Sequence, residues 1–171
     1  MTNLNARNLY YLGHGEPERL GGTKDPRRTL TSGEVGTLLR YNDSNPTNRH
    51  FFRYVFLDGC NTAKGSFPTK FGIAKKEHVP YSDYSGENNI RPSAFSGWAA
   101  DKTFAVLEYI PWQFPGYRIN FWAYWSLPGT RTLASAHEKA KEDVSPNGIA
   151  VGQSLKIYGY DNLRFYDFNT Q

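Results

Sequence analysis

Two apolar runs in the chain stop abruptly at small-residue turns. The first, NLYYLGHG, is apolar nearly throughout from Asn8 and halts at glycines on either side of His14. The second, FFRYVFLDG, halts at Asp58-Gly59-Cys60. Short unbroken apolar runs bounded by turn residues predict buried strands. The stretch between them from Glu16 to Arg28 is polar and rich in Gly and Pro, which predicts a long loop or a small hairpin. In TLTSGEVGTLLR, Thr31 stands three residues before Glu34, the capping-box spacing, and Val35, Leu38 and Leu39 fall on one face. A helix is expected there.

NDSNPTNRH reads as a loop, PTKFGIAKKE as a short helix and PYSDYSGENNIRPS as a turn-rich connection. SAFSGW is a third short strand. DKTFAVLEYI has helical spacing at Phe104 and Leu107 and opens with Asp101 as a cap. Pro111, Pro115 and Gly116 interrupt the pattern before INFWAYWSL, which reads as a further helix. TRTLASAHEKAKED gives the clearest helix, with Leu133, Ala136 and Ala140 on one side and charge on the other. QSLKIYGYDNLRF supplies a last strand, with Gly159 at its end or at a bend. Short strands alternating with helices predict an α/β fold, a mostly parallel sheet flanked by helices, in a single domain spanning 1–171. In such sheets ligands gather beyond the carboxyl ends of the strands, and His14 and Cys60 both lie just past such ends.

Composition narrows the functional classes. With 39% apolar and 21% charged residues in 171, the chain can build a core, and its 12 Tyr, 11 Phe and 4 Trp supply much of it. The formal charge of +4 is spread along the length, with doublets such as Arg27-Arg28 and Lys75-Lys76 and no long basic run. Solvated surface charge explains this better than a nucleic-acid partner. No stretch approaches the roughly 20 apolar residues that span a bilayer, and the polar start MTNLNARN lacks the apolar centre of a secretory signal. No membrane partner is expected. The single cysteine excludes an internal disulfide. No pair among His14, His50, His78 and His137 has compact ligand spacing, so neither a structural metal nor a cofactor is expected. His50, His78 and His137 sit in polar settings and read as surface residues.

A thiol attacks only as thiolate, and a nearby histidine takes its proton or stabilises its charge. Gly-rich turns at strand ends aim backbone N–H groups at a developing oxyanion. HG and DGC supply both, provided the two strands are neighbours. The bland alternatives stand beside this reading. A lone cysteine is often a small buried hydrophobe. His14 serves equally as a polar turn residue, Asp58 as a cap of the following turn, Trp98 as a packing residue and Glu16 as a solvated charge.

The arrangement resembles the caspase-like superfamily of cysteine peptidases, in which one apolar strand ends in His-Gly and a later one in a motif holding the nucleophilic cysteine. The separation of His14 from Cys60 is close to the about 50 residues between the corresponding pair in caspases. LDGCNTAKG is similar to the metacaspase Asp-x-Cys-x-x-Gly pattern. SAFSGWAAD is similar to the Gly-Trp strand of CHAT-domain and gingipain-like proteins, and GTRTLASAHEKAKED with LKIYGYD to their closing helix and strand. The likeness runs from about Asn8 to Phe165. It implies a caspase-like fold and a cysteine endopeptidase acting through a Cys–His dyad and a thioester acyl-enzyme. Cys60 would be the nucleophile, His14 the general acid/base, and the N–H groups of Gly15 and Cys60 the oxyanion hole. Asp58, at the position that favours basic residues in metacaspases, would direct cleavage after Arg or Lys, and Trp98 and Asp101 would wall the cleft. The partner implied is a protein or peptide substrate. The superfamily places one or two strands ahead of its His-Gly strand, whereas His14 comes here almost at once. The usual upstream strand or strands are therefore expected to be lacking, with an upstream segment or a partner chain completing the sheet. The alternative function is a catalytically inactive caspase-like scaffold or binding module, with hydrolysis of a non-peptide ester or amide as a minor third reading.

Overall fold

The computed structural model describes residues 7–21, 29–39, 52–84, 92–99, 113–127, 131–144 and 154–165. Its centre is a four-stranded sheet built from β1 (Asn8–Leu12), β5 (Tyr54–Asp58), β6 (Ala94–Trp98) and β7 (Leu155–Gly159), in that spatial order. The pairs β1–β5 and β5–β6 are parallel, and β7 runs antiparallel to β6. The register sets Leu12 beside Asp58 and Leu57 beside Gly97, so the carboxyl ends of three strands meet at one head of the sheet. A small second sheet joins β2 (Gly15–Glu16), β3 (Arg19–Leu20) and β4 (Leu30–Thr31), the first two forming a tight hairpin directly after His14.

The alternation of strand side chains divides the core in two. Tyr54 and Phe56 point to the face covered by α3 (Gln113–Ser126) and α4 (Leu133–Asp143), where they meet Tyr117, Phe121, Trp125, Leu133, Ala136 and Ala140. Val55 and Leu57 point to the other face, against Val35 of α1 (Ser32–Leu38) and Phe67 of α2 (Phe67–Lys70). The result is an α/β layering, a mixed and mostly parallel sheet flanked by helices. Among the described residues no helix is long and apolar enough to cross a membrane.

Several sequence expectations meet a local physical reason here. Thr31 caps α1 in a full capping box with Glu34, and Val35 and Leu39 are buried as expected, but Leu38 points outward. The strand over Asn8–Leu12 is half-exposed instead of buried, because β1 lies at the margin of the described sheet; Tyr10 and Leu12 are exposed. The short helix in PTKFGIAKKE amounts to a single turn that begins one residue earlier, at Phe67. Pro115 and Gly116 do not interrupt the later helix. Both lie within α3, close to its first described residue. The helix predicted over DKTFAVLEYI, with its cap Asp101, and the loop NDSNPTNRH with His50 lie outside the described residues.

His137 departs most from expectation, since it is fully buried and not at the surface. The spacing of α4 puts it on the stripe of Leu133, Ala136 and Ala140, which faces the sheet. Its ring stacks on Phe121 with centroids 4.0 Å apart. Its Nδ1 contacts the Tyr117 hydroxyl, and its Nε2 lies 3.2 Å from Ser96 Oγ and 3.4 Å from Tyr54 Oη. These neutral partners satisfy a neutral imidazole. Burial, with Lys141 adding repulsion, pushes its pKa down to about 3. His78, by contrast, is exposed and paired with Asp161 at 2.6 Å.

A histidine that stays neutral when folded, but protonates near its ordinary value when unfolded, makes stability fall as pH drops from about 6.5 toward 3. In that window it steepens the slope by up to about 1.4 kcal/mol per pH unit. Urea unfolding of the parent and of His137→Gln across pH 7 to 4 checks this. The variant is expected to be less stable at pH 7 but to lose less stability on acidification.

Candidate active site

β1 and β5 deliver His14 and Cys60 to the same head of the sheet, and the turns that carry them are in backbone contact. Gly13 N–H donates to the Asp58 carbonyl at 3.2 Å, extending the β1–β5 pairing by one step. A Cβ on Gly59 would lie 2.8 Å from the Gly13 carbonyl oxygen and 3.0 Å from the Gly15 nitrogen. One on Gly15 would lie 2.8 Å from the Cys60 carbonyl oxygen and 2.6 Å from Thr62 Cγ2. Side chains at either position would push the two turns apart, which explains the glycines of HG and DG.

His14 is exposed and Cys60 partly so. The His14 backbone is fixed nevertheless, because its carbonyl accepts from the Tyr11 hydroxyl at 2.8 Å and from Gly21 N–H at 2.9 Å. The second bond makes His14 and Gly21 a bonded pair of the β2–β3 hairpin. In an antiparallel ladder the next pair, Gly15 and Leu20, is then non-bonded, so Gly15 turns its N–H away from β3, and its nitrogen lies close to Gly59.

After Cys60 the chain reverses sharply at Asn61, whose φ of 58° lies in the left-handed region that asparagine tolerates. Thr62 is buried and ties this loop to two strands. Its hydroxyl donates to the Leu57 carbonyl at 2.7 Å and accepts from Trp98 N–H at 3.3 Å. Ala63 N–H donates to the Trp98 carbonyl at 3.1 Å.

Asp58 occupies the interior beneath this head. Its Oδ1 accepts from Trp98 Nε1 at 2.7 Å, its Oδ2 accepts from the Tyr10 hydroxyl at 2.8 Å, and Arg118 Nε of α3 lies 3.3 Å from the same oxygen. Burial pushes the carboxyl up, and Arg118, Tyr10 and Trp98 pull it back. Partial burial of its hydroxyl, with the Asp58 carboxylate beside it, raises Tyr10 well above its ordinary range. Asp58 is thus a buried charge with a full complement of donors, and Trp98, itself buried, packs beside it as one of them. Glu16 forms an exposed pair with Arg19. Asp101 lies outside the described residues.

Sequence reasoning passed over Tyr10, Thr62 and Arg118. Arg118 carried a usable signal, a lone cation among the aromatics of YRINFWAYW, which demands an anionic partner if the helix packs closely. Tyr10 and Thr62 carried none beyond their polar atoms in apolar surroundings. Among the described residues no group of three or more His, Cys, Asp or Glu is arranged to hold a metal ion. No protein-family model matches this chain, and neither does any curated protein or solved structure.

Removing one member of a buried ion pair leaves the other charge uncompensated, at a cost of about 3–5 kcal/mol. Arg118→Met is therefore expected to destabilise the fold by that order, and Asp58→Asn in the same chain to recover part of the loss. Denaturant unfolding of the two single variants and the double variant measures the coupling; strictly additive effects would mean that the pair is not linked as described.

Proposed function

We propose that the protein is a cysteine endopeptidase with Cys60 as nucleophile and His14 as general acid/base, cleaving after Arg or Lys. The observation that supports this reading is the close backbone approach of the two turns, one carrying an exposed histidine and the other a partly exposed cysteine. The chemistry follows from the groups present. Cys60, its proton given to His14, attacks the scissile carbonyl carbon as thiolate, and the carbonyl π electrons move to oxygen. The N–H groups of Gly15 and Cys60 receive that oxyanion. Collapse of the adduct expels the amine, which takes the proton from His14, and leaves a thioester on Cys60. Water, deprotonated by His14, then attacks the thioester and releases the acid and the thiol.

Preference for a basic residue would act through Asp58, whose carboxylate already faces Arg118. In this reading the substrate's cation competes with Arg118 for Oδ2, at the cost of separating that buried pair. That same satisfied carboxylate is the observation that favours a second reading, a catalytically inactive scaffold of the same layering.

A panel of fluorogenic peptides varied at the residue before the cut, assayed under reducing conditions, separates the two. Turnover after Arg or Lys is expected, abolished in Cys60→Ala and reduced on the order of 10²–10⁴-fold in His14→Ala. Turnover after other residues alone would keep the mechanism and remove Asp58 from substrate selection. A silent panel with Cys60 slow to alkylate would favour the scaffold.

A further inference from the structure

The β2–β3 hairpin touches the loop after Cys60 at two places. At its root Gly15 abuts Gly59 and Cys60. At its tip Pro17 and Glu18 abut Gly65 and Ser66, so closely that a Cβ on Gly65 would lie 1.5 Å from the Pro17 carbonyl oxygen. The hairpin thus lies along the whole loop from Gly59 to Ser66, with His14 and Cys60 at one end of the contact.

The tip is locked by one carboxylate. Glu18 Oε1 accepts from Ser66 N–H at 2.7 Å, and Oε2 accepts from the Ser66 hydroxyl at 2.6 Å and from the Ser32 hydroxyl at the start of α1. The two serine hydroxyls are themselves 3.0 Å apart, and Ser32 N–H donates to the Glu18 carbonyl at 3.0 Å. One side chain therefore joins the hairpin, the loop after Cys60 and α1. Lys75 holds the same corner, donating to the carbonyls of Lys64 and Gly65 at 2.6 and 2.8 Å. Partial burial raises the Glu18 carboxyl, but its bonds to Ser32 and Ser66 and the charge of Lys75 outweigh this and hold it below the usual range. Hydrogen bonds to an ionised acceptor are the stronger kind.

We infer that Glu18 is a positioning residue, whose carboxylate fixes the hairpin rooted at His14 against the loop that begins at Cys60 and thereby sets the histidine against the thiol. The inference rests on the peptidase reading, since it assigns Glu18 a part in the Cys60–His14 relation. Nothing in the local sequence announces it, because its partners lie far along the chain.

The test is the rate of Cys60 alkylation by iodoacetamide as a function of pH, measured with unfolding stability on the parent, His14→Ala, Glu18→Ala and Glu18→Gln. The parent is expected to react at pH 6 faster than His14→Ala. Glu18→Ala, still folded, is expected to lose about tenfold in rate at that pH, the change in thiolate fraction for one unit of thiol pKa. Glu18→Gln keeps an acceptor for Ser66 N–H and is expected to fall between the parent and Glu18→Ala. If the alanine variant does not fold, Glu18→Gln and Ser66→Ala are judged by the same shift of profile. A Glu18 variant that keeps the parental profile, while the parent differs from His14→Ala, overturns the positioning role and leaves the peptidase reading standing. Identical profiles for the parent and His14→Ala overturn the reading itself and, with it, the role of Glu18.

Discussion

Two glycine backbones in contact set the terms for the whole head of the sheet. Parallel pairing of β1 with β5 brings Leu12 beside Asp58, but pairing alone would let the following turns diverge. They do not diverge because Gly15 and Gly59 permit an approach that any side chain would block. The Gly13-to-Asp58 bond, the reversal at Asn61 and the course of the β2–β3 hairpin all presuppose that approach. The backbones of the two turns after the strands thereby cannot be placed independently of each other.

Two carboxylates secure this head from different sides, and the contrast between them is physical. Asp58 lies inside, where an ionised group is tolerated only with donors on both oxygens, and Trp98, Tyr10 and Arg118 supply them. These donors come from β6, β1 and α3, so a single charge binds three elements to the end of β5. Burial opposes ionisation there, whereas at Glu18 the hydrogen bonds prevail. Glu18 is closer to water and loses less hydration, so its contacts with Ser66 and Ser32 act mainly as geometry, fixing where one loop lies on another. Asp58 holds the strands to a helix, and Glu18 holds the surface loops to each other.

Much of this was legible in the sequence wherever the signal was local. The strand runs ending at His14 and Cys60, the capping box of Thr31 with Glu34, and the stripe of Leu133, Ala136 and Ala140 each express a short-range rule, and each element formed. Hydrophobicity alone could not tell a central strand from a marginal one, so β1 read as buried although Tyr10 and Leu12 are exposed. His137 read as a surface residue because its neighbours Glu138 and Lys139 are polar, while helical geometry turns it a different way from them. The Asp58 and Glu18 networks were illegible for another reason. Each joins residues brought together only by the topology, and no spacing rule reaches from Glu18 to Ser66 or from Asp58 to Arg118.

The same long-range contacts fix the head of the sheet although it is partly open to solvent. His14 is exposed and Cys60 partly so, without the enclosing packing that immobilises a core side chain. Here the immobilising contacts fall on the flanking backbone. The His14 carbonyl is held by Tyr11 and Gly21, Thr62 anchors the first turn after Cys60 to β5 and β6, and Glu18 with Lys75 anchors the loop's far end. In the proposed peptidase, such fixation would lower the reorganisation required when a substrate arrives.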